Sequence, residues 1–252
     1  MKNMFKNILS PYYNKIRSIK LKVSWTLFGE KLNDFFNVPI IINNFNRLTY
    51  LKKLIDSLNS RGYKNIFIID NASTYPPLLE YYKICPYKIF RLSENIGYLS
   101  LWKTKLYKQF ENKYFVYTDS DILIHVDCPN DFIYYFYTIM QRYKNVQKVG
   151  FGLLINDLPD TYKYKNEVIA WEKQYWQKEV EKNIYLANID TTFALYRPFV
   201  KWGSNIYVDH FRTNYPYIAQ HLPWYVNSNS MCDEDIYYIN KVATSTHWSE
   251  KK

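Results

Sequence analysis

Two acidic side chains in the middle of the chain stand at a spacing that lets them share a metal ion. Asp119-Ser120-Asp121 follows the apolar run Tyr114-Phe-Val-Tyr-Thr118. Residues i and i+2 of an extended segment point in the same direction, so both carboxylates can reach one cation. Hard divalent cations prefer oxygen ligands, and they neutralise a diphosphate. The spacing predicts a Mg²⁺ or Mn²⁺ site, with a solvated turn as the alternative.

A second group of polar and aromatic residues lies near the end of the chain. It comprises His221, Trp224, Asp233-Glu234-Asp235 and His247. The tryptophan can stack on a sugar ring, although large aromatic side chains are also common in protein cores. Acidic residues in a row also suit the first turn of a helix, where they complement the helix dipole, and a histidine can simply lie at the surface. The residues alone leave both a functional and a structural role open.

Alternating strand and helix patterns position the first acidic group. They predict strands at residues 38–42, 65–70, 87–92 and 113–118, and helices at 48–58 and 98–110. Strands joined by helices form a mainly parallel sheet, and ligands bind at the carboxyl ends of its strands. Those ends carry residues 43–47, Asp70-Asn71, residues 93–95 and Asp119-Ser120-Asp121. The sequence therefore predicts a polar crevice at one edge of the sheet.

The second half of the chain has weaker patterns. They predict an aromatic-rich core helix at 130–143, a strand at 149–155, a charged helix at 167–182 and a strand at 190–195. Pro198 follows the last of these segments and is expected to end it.

Composition excludes several classes of protein. With 48% hydrophobic and 22% charged residues, the chain has a globular composition. Its six glycines form no G-x-G-x-x-G or Gly-rich phosphate loop, so a carboxylate-held metal is the remaining way to neutralise a phosphate. The three cysteines and four histidines lack zinc-site spacing, and there is no G-x-S-x-G motif. The sequence also lacks a membrane-spanning run and a signal-peptide pattern, which predicts a cytoplasmic protein.

The basic N-terminal segment, residues 1–37, has seven lysines and arginines against two acidic residues, half of the net charge of +10. Apolar residues recur at helical spacing with Pro11 as an interruption, whereas residues 19–27 alternate as in a strand. A basic amphipathic segment can lie on an anionic membrane surface, and an extension packed on the domain is the alternative. We divide the chain into this extension and a domain at 38–252, with halves at 38–125 and 126–252.

Four short motifs occur in the order found in a known enzyme family. They are Val38-Pro-Ile-Ile-Ile-Asn-Asn-Phe-Asn-Arg47, Ile68-Ile-Asp-Asn-Ala-Ser-Thr74, Glu94-Asn-Ile-Gly97 and Tyr117-Thr-Asp-Ser-Asp-Ile122. Together they resemble the nucleotide-sugar-binding half of a family 2-like glycosyltransferase of the GT-A fold. The resemblance covers residues 38–125. It implies an α/β fold with a mainly parallel central sheet flanked by helices, a Rossmann-like nucleotide-binding half and an acceptor-binding half.

The resemblance also implies roles for residues at the strand ends. Asp70 would accept a hydrogen bond from the uracil imide, and Asp119 and Asp121 would bind the diphosphate through the metal, with Asp121 as the more direct ligand. The implied donor-binding residues are Asn44, Phe45, Arg47, Asp70, Asn71, Ser73, Asn95, Asp119 and Ser120.

Similar enzymes have an acidic motif behind the acceptor site and a later histidine that completes the metal shell. Glu234-Asp235 and His247 match that order. The match implies His247 as a metal ligand and Asp235 as the general base that takes the acceptor proton, with Glu234 as the second choice for the base and Asp190 as a distant third. The implied acceptor-binding residues are Asp190, Thr191, His221 and Trp224.

These features predict a metal-dependent glycosyltransferase of the hexosyltransferase type. We expect a UDP-sugar donor, a hydroxyl of a glycan or lipid-linked acceptor in surface polysaccharide or glycoconjugate synthesis, and a Mn²⁺ or Mg²⁺ cofactor. The protein would be cytoplasmic or peripheral at the inner face of the membrane. A basic nucleic-acid-binding protein and a non-catalytic nucleotide-sugar-binding relative are the alternatives. Because the acidic pair at a strand end would repel phosphates in the absence of a metal, we expect no nucleic acid partner.

Overall fold

One mixed β-sheet forms the centre of the molecule. The structure, a computed structural model, describes residues 31–200 and 209–242, together with residues 16, 19, 20 and 22–29. The strands are β1 (Ile40–Asn44), β2 (Ile66–Asp70), β3 (Lys88–Arg91), β4 (Phe115–Asp119), β5 (Ile122–Ile124), β6 (Val146–Leu153), β7 (Glu179–Glu181), β8 (Ile184–Leu186), β9 (Ala194–Tyr196) and β10 (Asp209–His221). Among the described residues from 31 onward, the α-helices are α1 (Thr49–Ser60), α2 (Pro76–Ile84), α3 (Ser100–Lys103), α4 (Phe132–Arg142), α5 (Lys165–Glu172) and α6 (Asp233–Lys241). Shorter 3₁₀ turns occupy Gly97–Leu99, Lys105–Gln109, Lys173–Trp176 and Leu222–Tyr225.

The sheet joins strands from both halves of the chain. Its order in the described residues is β3-β2-β1-β4-β9-β6-β10-β8-β7, and β5 pairs with β10. The strands from β3 to β4 in this order are parallel, and β10 is parallel to β6. β9 lies antiparallel between β4 and β6. The predicted α/β class, with a central and largely parallel sheet flanked by helices, is confirmed.

The parallel strands are buried on both faces, which explains why they appear in the sequence as continuous apolar runs. Successive residues of a strand point to opposite faces. Ile40 and Ile42 therefore pack in one core together with Phe132 of α4, whereas Ile41 packs in a second core with Tyr117. The predicted core helix at 130–143 corresponds to α4.

Downstream elements differ from the predictions where local geometry interrupts a pattern. The predicted helix at 167–182 is wrong beyond α5, because the chain turns into the hairpin of β7 and β8 at Asn183, whose φ is 63°. The predicted helix at 98–110 is broken at Thr104, whose backbone is extended. The strand predicted at 190–195 begins only at Ala194. The long strand β10 was not predicted, since polar residues interrupt its apolar pattern.

At residues 22–27 the basic N-terminal segment is helical, so the helical pattern holds there and the alternating pattern does not. About half of the segment lies outside the described residues, and the expected membrane contact stays a prediction. Within the described parts of the chain, no helix has the length and apolar character needed to cross a bilayer.

Candidate active site

A cleft of about 840 Å³ opens where β1, β2 and β4 end. Its size is within the range of ligand pockets, about 300–1,000 Å³. Four predicted site residues lie outside its lining, namely Asn44, Asp70, Ser73 and Glu234, and His247 lies outside the described residues. The predicted residues that line the cleft are Phe45, Arg47, Asn71, Asn95, Asp119, Ser120, Asp121, Asp190, Thr191, His221, Trp224 and Asp235.

The parallel register brings the polar strand ends together. Asn43 on β1 pairs with Asp119 on β4, and Asn44 pairs with Asp70 on β2. Because neighbouring residues of a strand point to opposite faces, only one of the two asparagines reaches the cleft. That residue is Asn43, whose Nδ2 donates to Asp119 Oδ1 at 3.1 Å. Asn44, which the resemblance implies at the donor, is buried and donates to the Tyr82 hydroxyl at 2.9 Å.

Asp119 is held on both carboxylate oxygens. Oδ1 accepts the hydrogen bond from Asn43, and Oδ2 accepts one from the hydroxyl of Thr191. The backbone N–H of Asp119 donates to the carbonyl oxygen of Thr191 at 3.0 Å. Burial and the neighbouring Asp121 raise the pKa of Asp119 to about 8. Two adjacent carboxylates in a buried position favour the binding of a positive charge.

Asp121 has a carboxylate oxygen without a protein partner. Its Oδ2 lies 3.4 Å from Nε2 of His221, whose ring packs edge-on against Trp224. Its Oδ1 is buried and has no hydrogen-bond partner among the described residues. Burial acts to raise the pKa of Asp121, but His221 and Arg47 outweigh it and the pKa is lowered. Because a buried carboxylate oxygen is costly when it is unpaired, Asp121 is well placed to contact a cationic ligand.

These residues fit a Mg²⁺ or Mn²⁺ ion that binds together with a phosphate. Among the described residues, no three His, Cys, Asp or Glu side chains are grouped as a complete metal site. Mg²⁺ in nucleotide sites commonly uses one or two carboxylates and completes its shell with phosphate oxygens and water. Asp121 and Asp119 supply such carboxylates, and His221 places a nitrogen beside them.

Arg47, in the loop after β1, brings a positive charge to this side of the cleft. Its Nη1 binds Oδ1 of Asp235, and its guanidinium lies 3.9 Å from the ring centre of Tyr238. Asp235 Oδ1 also accepts from the Tyr50 hydroxyl at 3.3 Å, and its Oδ2 accepts from the Cys232 thiol at 3.1 Å. Donors therefore occupy both oxygens of the predicted general base.

Glu234, the second predicted base, contacts α1 instead of the cleft. Its Oε2 accepts from the N–H of Thr49 at 2.9 Å and from the Thr49 hydroxyl at 3.0 Å. The first N–H groups of a helix lack partners within the helix, and a carboxylate there also complements the helix dipole. The structure thus places Glu234 as a cap of α1.

Asp70 and Ser73 are buried and do not line the cleft. Asp70 is fully buried and accepts from Arg91 Nε at 3.1 Å and from the Tyr82 hydroxyl at 3.2 Å. The Ser73 hydroxyl accepts from the N–H of Asn46 at 2.8 Å. In this arrangement Asp70 is not open to a uracil ring, whereas Ser73 fixes the loop after β1.

Asn71 fixes the loop that contains Asn95. Its Nδ2 donates to the carbonyl oxygen of Gly97 at 2.8 Å, and its Oδ1 accepts from the N–H of Ile96 at 2.9 Å. Gly97 has a φ of 76°, a conformation that glycine adopts without steric cost. This loop borders the cleft after β3.

The part of the cleft lining that contains Glu172, Tyr175 and Arg212, called the opposite wall below, belongs to no predicted motif. Glu172 of α5 and Arg212 of β10 form an ion pair of 2.7 Å, and their side chains are 4% and 3% exposed. The ring centre of Tyr175 lies 3.9 Å from the Arg212 guanidinium. The ion pair joins residues 40 positions apart, so it leaves no local pattern in the sequence. The four-residue spacing of Trp171 and Tyr175 is the one sequence signal for this wall. Other aromatic residues lining this wall are Tyr162, Tyr164 and Trp171.

The segment before β9 connects the two walls. Thr191 binds Asp119, while the preceding residue, Asp190, is exposed in the cleft. Buried Lys148 donates to the carbonyl oxygens of Ile189 and Asp190 and thereby fixes this segment from below. Burial lowers the pKa of Lys148 to about 7.

Comparisons with known proteins give matches among solved structures alone. The chain is similar to S. aureus TarS, at 18% identity and a TM-score of 0.36 over 50% of this chain and 24% of TarS. It is similar to GalNAc-T7, crystallised with UDP, GalNAc and Mn²⁺, at 14% identity and a TM-score of 0.45 over 72% of this chain and 43% of that chain. It is also similar to glucosyl-3-phosphoglycerate synthase from Mycobacterium tuberculosis, at 11% identity and a TM-score of 0.39 over 71% of this chain and 61% of that chain.

All three TM-scores are below 0.5, so the resemblance to a glycosyltransferase continues to rest on the sequence motifs. The chain spans less than two thirds of the length of each of them. No family model and no curated protein matches the chain. At these identities and TM-scores the likeness assigns no activity, so the geometry of the cleft must indicate the function.

Replacing Asp119 by asparagine should stabilise the metal-free protein at high pH. The pKa of Asp119 is raised from 3.8 to about 8, so the folded state holds a proton that the unfolded state releases. Stability of the wild type therefore falls as pH rises between these two values, and a neutral amide at this position removes that loss. Thermal midpoints measured in EDTA at about pH 5 and about pH 8.5 check this. If the thermal midpoint falls equally between these two pH values in Asp119→Asn and in the wild type, the assignment of the titration to Asp119 is contradicted.

Proposed function

We propose that the protein is a metal-dependent glycosyltransferase that moves a sugar from a UDP-sugar to a hydroxyl of a glycan or lipid-linked acceptor. The main observation in support is the unpaired buried oxygen of Asp121, which lies in a cleft beside Asp119 and Arg47. The sequence motifs support the same reaction, because three of the four end in residues that border this cleft.

The donor would bind at the edge formed by β1 and β4. Asp121, Asp119 and His221 would hold a Mg²⁺ or Mn²⁺ ion, which when bound neutralises diphosphate charge and polarises phosphate oxygens. Arg47 has a guanidinium whose planar donors suit phosphate oxygens. Asp235 fixes that guanidinium through an ion pair, so we assign Asp235 a positioning role at the donor. Asn43 and Thr191 orient Asp119.

The acceptor would bind against the opposite wall. Tyr162, Tyr164, Trp171 and Tyr175 present aromatic surface there, and Asp190 and the Glu172–Arg212 pair add polar groups. A few fixed polar groups among aromatic side chains are typical of sites that orient small polar ligands. This composition suits a sugar acceptor better than an extended acyl chain.

Thermal unfolding of the purified chain tests the donor site. The midpoint is measured with UDP, GDP, CMP and dTDP, each with Mn²⁺ or with EDTA. A ligand that binds the native state stabilises it by about 2.7 kcal/mol at about 100 times its Kd. We expect the largest increase with UDP, and we expect EDTA to abolish it. Equal midpoints with every nucleotide would contradict the proposed function.

A further inference from the structure

The buried ion pair of Glu172 and Arg212 lies in the wall of the cleft, not beneath it. Arg212 donates to the carbonyl oxygen of Asn188 at 2.8 Å through Nε and to Glu172 Oε2 at 2.7 Å through Nη1. Tyr175 packs on its guanidinium. Three contacts thus fix Arg212, and Arg212 in turn fixes one oxygen of Glu172.

The other oxygen of Glu172 is available. Oε1 accepts no hydrogen bond from the part of the chain that the structure describes, and it is not among the fully buried unpartnered atoms. Since Glu172 lines the cleft, Oε1 is the part of this carboxylate that a ligand can reach.

Asp235 differs from Glu172 in this respect. Its Oδ1 binds Arg47 and the Tyr50 hydroxyl, and its Oδ2 accepts from the Cys232 thiol. Protein donors thus occupy both oxygens of Asp235 on the side where an acceptor hydroxyl would have to bind. Of the two carboxylates, Glu172 is the one with a free oxygen.

We propose that Glu172 is the general base of the transfer reaction, an inference that rests on the proposed function. The acceptor O–H proton moves to Glu172 Oε1 as the acceptor oxygen forms a bond to the anomeric carbon of the donor. The bond from that carbon to the diphosphate oxygen breaks, and its electron pair leaves with the nucleoside diphosphate. A protein base acting in this single displacement inverts the anomeric configuration.

The surroundings of Glu172 suit this role. Burial raises the pKa of its carboxyl, and Arg212 and His221 act in the opposite direction so that the group stays ionisable. The charged or titratable groups that face it are Arg212 and His221 of β10 and Tyr175 of the turn after α5. A base with a pKa raised toward the working pH accepts a proton more readily.

Glu172→Gln tests the proposal, with Glu167→Gln as the control. Glu167 is an exposed residue on the same helix, so its substitution makes the same chemical change away from the cleft. The readout is Mn²⁺-dependent UDP release from UDP-glucose, UDP-galactose and their N-acetylhexosamine counterparts, with water as the acceptor. We expect Glu172→Gln to lower kcat by about 10²–10⁴-fold and to keep the UDP-dependent thermal shift. Glu167→Gln should match the wild type.

Further variants separate a catalytic role from a structural one. Glu172→Asp should recover part of the lost kcat, because it restores a carboxylate. If Glu172→Gln fails to fold, the double variant Glu172→Gln, Arg212→Met removes both buried charges and should fold, bind UDP and lack turnover. Asp235→Asn should keep a larger kcat than Glu172→Gln and weaken donor binding instead.

Three results would overturn the inference. They are a near-normal kcat in Glu172→Gln, loss of kcat confined to Asp235→Asn, and retention of the anomeric configuration in the sugar released at early times, as followed by NMR. Absence of UDP binding in the wild type would instead overturn the proposed function itself.

Discussion

Asp121→Asn should abolish the stabilisation that UDP and Mn²⁺ give together. The substitution keeps the size of the side chain and removes the negative charge of the one carboxylate that, among the described residues, has an unpaired buried oxygen. Loss of an outer partner of a metal ligand already costs about 10–100-fold in affinity, so loss of a direct ligand should weaken Mn²⁺-dependent UDP binding by about 100-fold or more. Isothermal titration with UDP in saturating Mn²⁺ measures this.

Asp160→Asn is the matched control for this experiment. The Asp160 side chain is 97% exposed and pairs with Lys165 at the surface, so the same chemical change there should leave UDP binding unaltered. Retained Mn²⁺-dependent affinity in Asp121→Asn would contradict the metal assignment. Equal weakening in both variants would point to a general effect of charge.

Gly150→Ala should destabilise the fold more than any surface substitution. An added Cβ at Gly150 would lie 2.4 Å from the carbonyl oxygen of Phe193 and 2.6 Å from Cβ of Ala194 on the adjacent strand β9. Backbone atoms of a central sheet cannot move away cheaply, and overpacking of this kind costs about 3 kcal/mol or more. In a chain of this size we expect the thermal midpoint to fall by roughly 6–12 °C.

Gly97→Asn provides the contrast. Nothing lies within 4 Å of a Cβ at Gly97, and its φ of 76° is a conformation that asparagine tolerates. Its midpoint should therefore stay close to that of the wild type. If the thermal midpoint of Gly150→Ala falls no further than that of Gly97→Asn, then β6 and β9 can separate more easily than their packing indicates.

The part of the fold that contains β1, β2 and β4 was predictable because its signals are local. β1, β2 and β4 are buried on both faces, so each leaves a continuous apolar run that ends in a polar residue. Parallel pairing then aligns those ends whatever the details of the loops. Which of Asn43 and Asn44 faces the cleft depends on which face of the sheet each side chain points to. Adjacent residues point to opposite faces, and a resemblance to motifs does not show which residue is on which face.

The opposite wall and the cap of α1 were not predictable because their contacts join distant positions. Glu172 meets Arg212 across 40 residues, and Glu234 meets Thr49 across 185. No periodicity in the sequence shows that Glu234 caps another helix or that Glu172 lines a cleft. Glu234 and Asp235 are adjacent in the chain, yet helix geometry directs one toward α1 and the other toward Arg47.

The hydrogen bonds around Asp119 bear on the entropy of ligand binding. Asn43 and Thr191 immobilise this carboxylate before a ligand arrives, so its rotational freedom is lost during folding. Immobilising a side chain at the moment of association costs about 0.5–1.5 kcal/mol. At Asp119 that cost does not oppose binding, whereas at Asp121, with one unpaired oxygen, part of it does. The carboxylate pair therefore combines one member fixed on both oxygens with one that has a contact on a single oxygen.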